Sequence, residues 1–222
     1  MKYTFEGCCT SVADAVTAQR SGAVRIELCS RLDLGGVTPS EELIRDTLLA
    51  LAEDAVPCVK VNVLVRPRGG DFVYSEEEIQ KMLGSVEMCK RLRVSDSSGS
   101  EHRVNGVVIG ALLPDGNVDI STMRRLVAAA RPLQVTFHRA FDECADVERC
   151  LEDVISLGCE RLLTSGHAAD AFAGRFTLVR LVRQAAGRII ILAGCGVRPH
   201  NIDAIASVSS APEFHSSTLT GW

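Results

Sequence analysis

Apolar runs recur eight times along the chain, near residues 3–9, 24–29, 58–66, 104–110, 133–138, 160–164, 188–193 and 212–216, and each breaks off into a polar or glycine-rich cluster. In several of them polar residues fall at every second position. In the second run Val24, Ile26 and Leu28 share one strand face, while Arg25, Glu27 and Cys29 share the other. The first run repeats the scheme, with Phe5 opposite Glu6 and Cys8. Helical patterns fill the intervals. Ser11 caps a helix that closes near Gly22, Ser40 with Glu41 and Glu42 opens one to about Asp54, and Ser75 before three glutamates opens a third. Asp119 opens a fourth to about Ala130, Asp146 a fifth, residues 168–186 hold a sixth, and Pro199 at a first helical turn marks a short seventh.

Strict strand–helix alternation predicts a parallel sheet with helices outside. Eight strands in 222 residues predict closure into a TIM-like (β/α)8 barrel, a single domain over residues 1–222. An open doubly wound sheet of the Rossmann or flavodoxin kind is the alternative. The eighth helix is expected to be missing or incomplete at the C-terminus. The polar stretch 95–102, Ser-Asp-Ser-Ser-Gly-Ser-Glu-His, reads as a mobile insertion loop.

Composition narrows the partners. Apolar residues make up 46% of the chain, enough for a sizeable core, and a formal charge of −4 with scattered basic residues offers no footprint for nucleic acid or an anionic membrane. No apolar run approaches the roughly 18 residues of a membrane span, and no charged leader precedes an apolar stretch, so a cytoplasmic protein is expected. Nine cysteines, an odd number in apolar contexts, are read as reduced thiols.

Residue parity places Glu6, Cys8, Arg25, Glu27, Cys29, Asn62, Arg66, Gln134, Thr136 and His138 in the barrel lumen, which is normally filled by branched aliphatic side chains. Two accounts stand. Glu6 and Glu27 pair with Arg25 and Arg66 in a buried scaffold, or the lumen is a site. Cys8 and Cys29, on neighbouring strands, are either inert core thiols or the two ligands of one soft ion. His138, with Glu27 and Glu6, suits proton transfer, or merely hydrogen-bonds a neighbour. Arg66 and Arg68, bracketing a proline, suit a carboxylate or phosphate, or are solvated at the loop mouth. Gly194, Gly196, Ser216 and Ser217 follow the last two strands, where the pattern resembles the phosphate grip of barrels such as phosphoribosylanthranilate isomerase; the glycines otherwise serve a tight turn.

The clusters Glu6–Cys9, Arg25–Ser30, Gly35–Ser40, Arg66–Tyr74, Val135–Asp142, Leu163–Gly166 and Glu213–Ser217 together resemble the CutC family, and they run in order over almost the whole chain. That resemblance implies a TIM-like barrel, a homo-oligomer (dimer or tetramer), a cytosolic role in copper homeostasis, and Cys8 and Cys29 as ligands of copper, as Cu(I). The chain departs from the family in its longer loop near 95–102, in Cys195 where glycine or alanine is common, and in lacking a segment after His-Ser-Ser. The alternative reading is a TIM-barrel enzyme, an isomerase, lyase or hydrolase, in which the arginines and the glycine–serine cluster hold a small anionic or phosphorylated metabolite.

Overall fold

A computed structural model describes residues 3–54 and 56–221 of the chain. Its barrel strands are β1 (Thr4–Cys9), β2 (Arg25–Leu28), β3 (Lys60–Leu64), β4 (Gly106–Ile109), β5 (Gln134–Phe137), β6 (Arg161–Thr164), β7 (Ile190–Ala193) and β8 (Glu213–Ser216). Each pairs in parallel with the next, and β8 returns to β1, so the sheet closes and the open-sheet alternative is excluded. The helices are α1 (Val12–Arg20), α2 (Glu41–Glu53), α3 (Glu76–Arg91), α4 (Ile120–Ala130), α5 (Val147–Ser156), α6 (Arg175–Ala185) and α7 (Ile202–Ser209).

Five helices begin on the caps the sequence nominates. Ser11, Ser40, Asp119 and Asp146 each accept a backbone N–H from the first turn, and Ser75 forms a reciprocal capping box with Glu78. The last two helices start later than expected. Residues preceding α6 form turns tied by Ala171 N–H to the Cys195 carbonyl and Gly174 N–H to Asp170. Pro199 lies in the turn before α7, where the Asn201 side chain accepts from the Arg198 N–H and holds the chain out of helix. Among the described residues no helix follows β8. Leu219 instead reaches the outer side of β1, where a Cβ on Gly7 would stand 3.0 Å from both Leu219 Cδ2 and Ala18 Cβ.

The polar stretch 95–102 is a closed hairpin. Val94–Ser95 pairs antiparallel with Glu101–His102, and Asp96 accepts from the backbone of Ser98 and Ser100 and bonds the His102 ring. Val24 precedes the strand and is 47% exposed, whereas Ile26 and Leu28 are buried against the helices as their parity requires.

Outward strand residues such as Phe5, Val61, Val107, Val135, Phe137, Leu162 and Phe214 build the main core with the helices. Many inward residues are polar, and register decides how they fit. Glu27, Asn62, Gly106 and Gln134 stand side by side on β2, β3, β4 and β5. A Cβ at Gly106 would lie 2.6 Å from Asn62 Oδ1 and 2.8 Å from the Gln134 carbonyl oxygen, so glycine there makes room for the buried amide. Gly106→Ala is therefore expected to lower stability by about 1–3 kcal/mol, read from the midpoint of urea unfolding.

Candidate functional site

The barrel floor is an ion network. Arg25 Nε donates to Glu6 and its Nη2 to Glu213 at 2.5 Å. Arg161 Nε donates to the same Glu213 oxygen at 2.9 Å, and its Nη1 to Gln134 Oε1 at 2.8 Å. All four charged residues are buried. Above them His215 Nδ1 meets Glu6 Oε1 at 2.7 Å, with the Cys8 thiol beside the ring.

These contacts set the protonation states. Burial pushes the Glu6 carboxyl up, but Arg25 and His215 outweigh it and hold its pKa at about 2. Burial likewise opposes the His215 cation, yet its bonds to Cys8 and Glu6 and the nearby Glu27 raise it well above its ordinary value. Glu27 is compensated only in part, by the charges of His215 and Arg25. Its Oε2 is 3.9 Å from His215 Nδ1 and lacks a hydrogen-bond partner, and burial pushes the carboxyl up to about 7.

Next to Glu27 the Cys8 and Cys29 sulfurs lie 3.9 Å apart, in a small cluster with Leu64 and Val108. The contact with Cys29 and burial raise the Cys8 thiol well above its usual range. A cavity of about 720 Å³ opens over them at the C-terminal ends of the strands, lined by Cys8, Glu27, Cys29, Arg66, His138 and His215 among others. That is the working face of a (β/α)8 barrel.

The structure thus gathers Cys8, Cys29, Glu27, Arg66 and His138 around one cavity, with Glu6 just beneath, bonded to His215. Gly196, Ser216 and Ser217 also line it. Two nominated residues stand elsewhere. Arg68 donates to Glu78, Asp71 and the carbonyls of Gly69, Asp71 and Val73, so its guanidinium staples its own loop rather than facing the cavity. The Gly194 N–H is held by the Thr164 carbonyl, and a Cβ there would strike Leu163 Cδ1 at 2.4 Å; close packing, not anion contact, explains this glycine. The scaffold account, with Glu6 and Glu27 paired to Arg25 and Arg66, holds for Glu6 and Arg25 but not for Arg66, which bonds the carbonyls of Leu34, Gly36 and Gly70. His138 is held neutral by burial and by Arg66, with its pKa near 3, so titration near neutrality belongs to Glu27. The sequence alone assigns no role to Arg161 or Glu213 and shows His215 only within the cluster after the last strand. The alternation of Glu213 and His215 around Phe214 on β8 is the signal that marks two of them as inward.

Two outcomes follow from the charges. Glu213→Ala leaves Arg25 and Arg161 buried without their shared carboxylate and should cost about 3–5 kcal/mol in urea unfolding. Glu27 binds its proton more tightly folded than unfolded. Its contribution to stability is therefore full below its ordinary pKa of 4.5, falls as pH rises and is gone once pH passes about 7. Unfolding free energies of wild type and Glu27→Gln measured across that window should differ in slope, the variant being flatter.

Comparison with known proteins agrees with the sequence resemblance. The model of the CutC family matches residues 3–220. Family protein CutC of Parabacteroides distasonis is 47% identical over 98% of this chain and 83% of its own length. That of Bacteroides thetaiotaomicron is 45% identical over 96% of this chain and 80% of its own. The crystal structure of CutC from Streptococcus agalactiae, a protein named for copper homeostasis, superimposes with a TM-score of 0.88 at 27% identity, covering 98% of this chain and 100% of that one.

Proposed function

The chain belongs to the CutC family, and from that premise we propose that it is a copper-homeostasis protein that takes up Cu(I) between Cys8 and Cys29. The observation that carries this reading is the 3.9 Å separation of the two sulfurs at the cavity wall. Metal–thiolate bonds of about 2.3 Å allow one ion to bridge sulfurs up to roughly 4.6 Å apart. Thiolate donors in an apolar setting favour soft ions, Cu(I) among them.

A four-ligand zinc site fits less well. Ligand atoms of Glu6, Glu27 and His215 lie within 4.8 Å of one another, but Glu6 is bonded by Arg25 and His215 Nδ1 is turned to Glu6. Glu27 Oε2 beside the cavity is also unpartnered, but a carboxylate is a hard donor; the soft donors there are the two sulfurs. The contact with Cys29 and burial keep Cys8 a thiol against the pull of the His215 cation, so loading releases its proton.

All nine cysteines are free, which suits the reducing cytoplasm, and no helix among the described residues is long and apolar enough to cross a membrane. The same reading includes the homo-oligomer that the family resemblance implies.

Anaerobic titration against a chromophoric Cu(I) chelator should show one tightly held copper per wild-type chain. Cys8→Ser and Cys29→Ser should each abolish it, while Cys58→Ser, at an exposed thiol, should not. Retention of the stoichiometric copper by both site variants would overturn the assignment.

A further inference from the structure

Two residues that line the cavity, Arg66 and His138, each hold a buried hydrogen-bond donor without a partner. Arg66 is 5% exposed, and its Nη atoms donate to the carbonyls of Leu34 at 3.1 Å, Gly36 at 3.0 Å and Gly70 at 2.7 Å. Its Nε is buried with no partner, and no carboxylate among the described residues pairs with it. A guanidinium removed from water with only neutral acceptors carries a desolvation cost that a counter-anion would offset.

His138 supplies the second donor. Its Nδ1 accepts from the Ala140 backbone N–H at 3.2 Å, so in the neutral ring the proton sits on Nε2. Burial and the Arg66 charge keep the ring neutral, so Nε2–H is a donor throughout the physiological range, and it too is buried without a partner. The position is built for the ring: a Cβ on Gly110 would stand 2.6 Å from it.

The two groups flank one aromatic ring. The Arg66 Cζ is 4.7 Å from the Phe72 ring centroid and the His138 centroid is 5.0 Å from it, and all three residues line the cavity. Glu27, lining the same cavity, presents the unpartnered acceptor Oε2.

We propose that this wall binds a small carboxylate bearing a hydroxyl group, with Arg66 Nε–H and His138 Nε2–H on the carboxylate oxygens and Glu27 Oε2 on the hydroxyl. Two single donors, one of them cationic, match the two oxygens of a carboxylate. The loop that would grip a phosphoryl group is bonded to itself instead. Ser216 Oγ donates to the Val197 carbonyl at 2.6 Å, and Arg198 Nη1 donates to that carbonyl and to Ser216. The site uses neither sulfur, so it stands or falls apart from copper binding.

The test uses reduced, chelator-treated, metal-free protein with glycolate, acetate and inorganic phosphate as probes. Calorimetry should show one glycolate per chain, weaker acetate and no competition by phosphate. Nitrogen NMR of histidine-labelled protein should show His138 protonated on Nε2 and that resonance moving with glycolate. His138→Phe, which keeps the volume and removes the donor, should weaken glycolate about tenfold or more. Absence of glycolate binding, undiminished affinity in the variant, or an Nδ1-protonated ring in the free protein would each overturn the site. Phosphate displacing glycolate at equal affinity would overturn the carboxylate assignment. The tautomer measurement needs no variant, so a misfolded His138→Phe would leave it decisive.

Discussion

Glu213 holds two guanidinium groups inside a closed barrel, and the rest of the lumen is arranged around that fact. Its carboxylate joins Arg25 of β2 to Arg161 of β6, while Arg25 also takes Glu6 of β1. Four buried charges on four strands are tolerable only if each finds its partner, because an unpaired ion there costs more than any one contact returns. Register follows from this. A slip of one residue in β8 would turn Glu213 to the helices and Phe214 into the ion network, so the network and the apolar outer face select the same pairing.

The allocation of the guanidinium groups also decides the chemistry above them. Arg25 and Arg161 are committed to Glu6 and Glu213, and Arg66 to loop carbonyls, which leaves Glu27 the lumen carboxylate without a cation in hydrogen-bond contact. Glu6 and Glu27 are both fully enclosed, yet one is held at about 2 and the other near 7. The difference lies in neighbours, not in burial. The same asymmetry separates the imidazoles: His215, against Glu6, is held as a cation, and His138, against Arg66, is held neutral. One cavity therefore has a cationic edge beside the thiols and a neutral donor beside Phe72.

Much of this was legible from alternation and caps. Period-two patterning in β1, β2, β3 and β5 put Glu6, Cys8, Arg25, Glu27, Asn62 and His138 in the lumen, and five N-caps located five helices, because these are local signals that tertiary contacts reinforce. What alternation does not carry is which buried charge meets which. Sequence pairs Glu27 with Arg66 as readily as with anything else, but the fold draws Arg66 to the carbonyls of the loop after β2, and Arg68 to Glu78, through backbone geometry that no spacing encodes. Likewise Gly194 looks like a phosphate-loop glycine until the Leu163 methyl that fills its missing Cβ position is in view. His215 lay within reach of the same parity argument, since Glu213 and His215 alternate with Phe214.

A polar lumen invites the choice between scaffold and site, and the structure divides it by place. In the floor network every charged group meets an opposite charge, as a scaffold requires. Elsewhere in the lumen and along the cavity wall, Glu27 Oε2, Asn62 Oδ1 and Nδ2, Thr136 Oγ1, Arg66 Nε and His138 Nε2 are buried without partners. Each unsatisfied buried polar atom costs about 1–3 kcal/mol, and hydrophobic replacements at such positions would be cheaper for a protein that needed only stability. Water can satisfy some of them at little cost. A guanidinium and a neutral imidazole flanking one aromatic ring, in a cavity also lined by a carboxyl poised near neutrality, is an arrangement that water alone does not explain, because it places charge where only a charged occupant returns the cost of burying it.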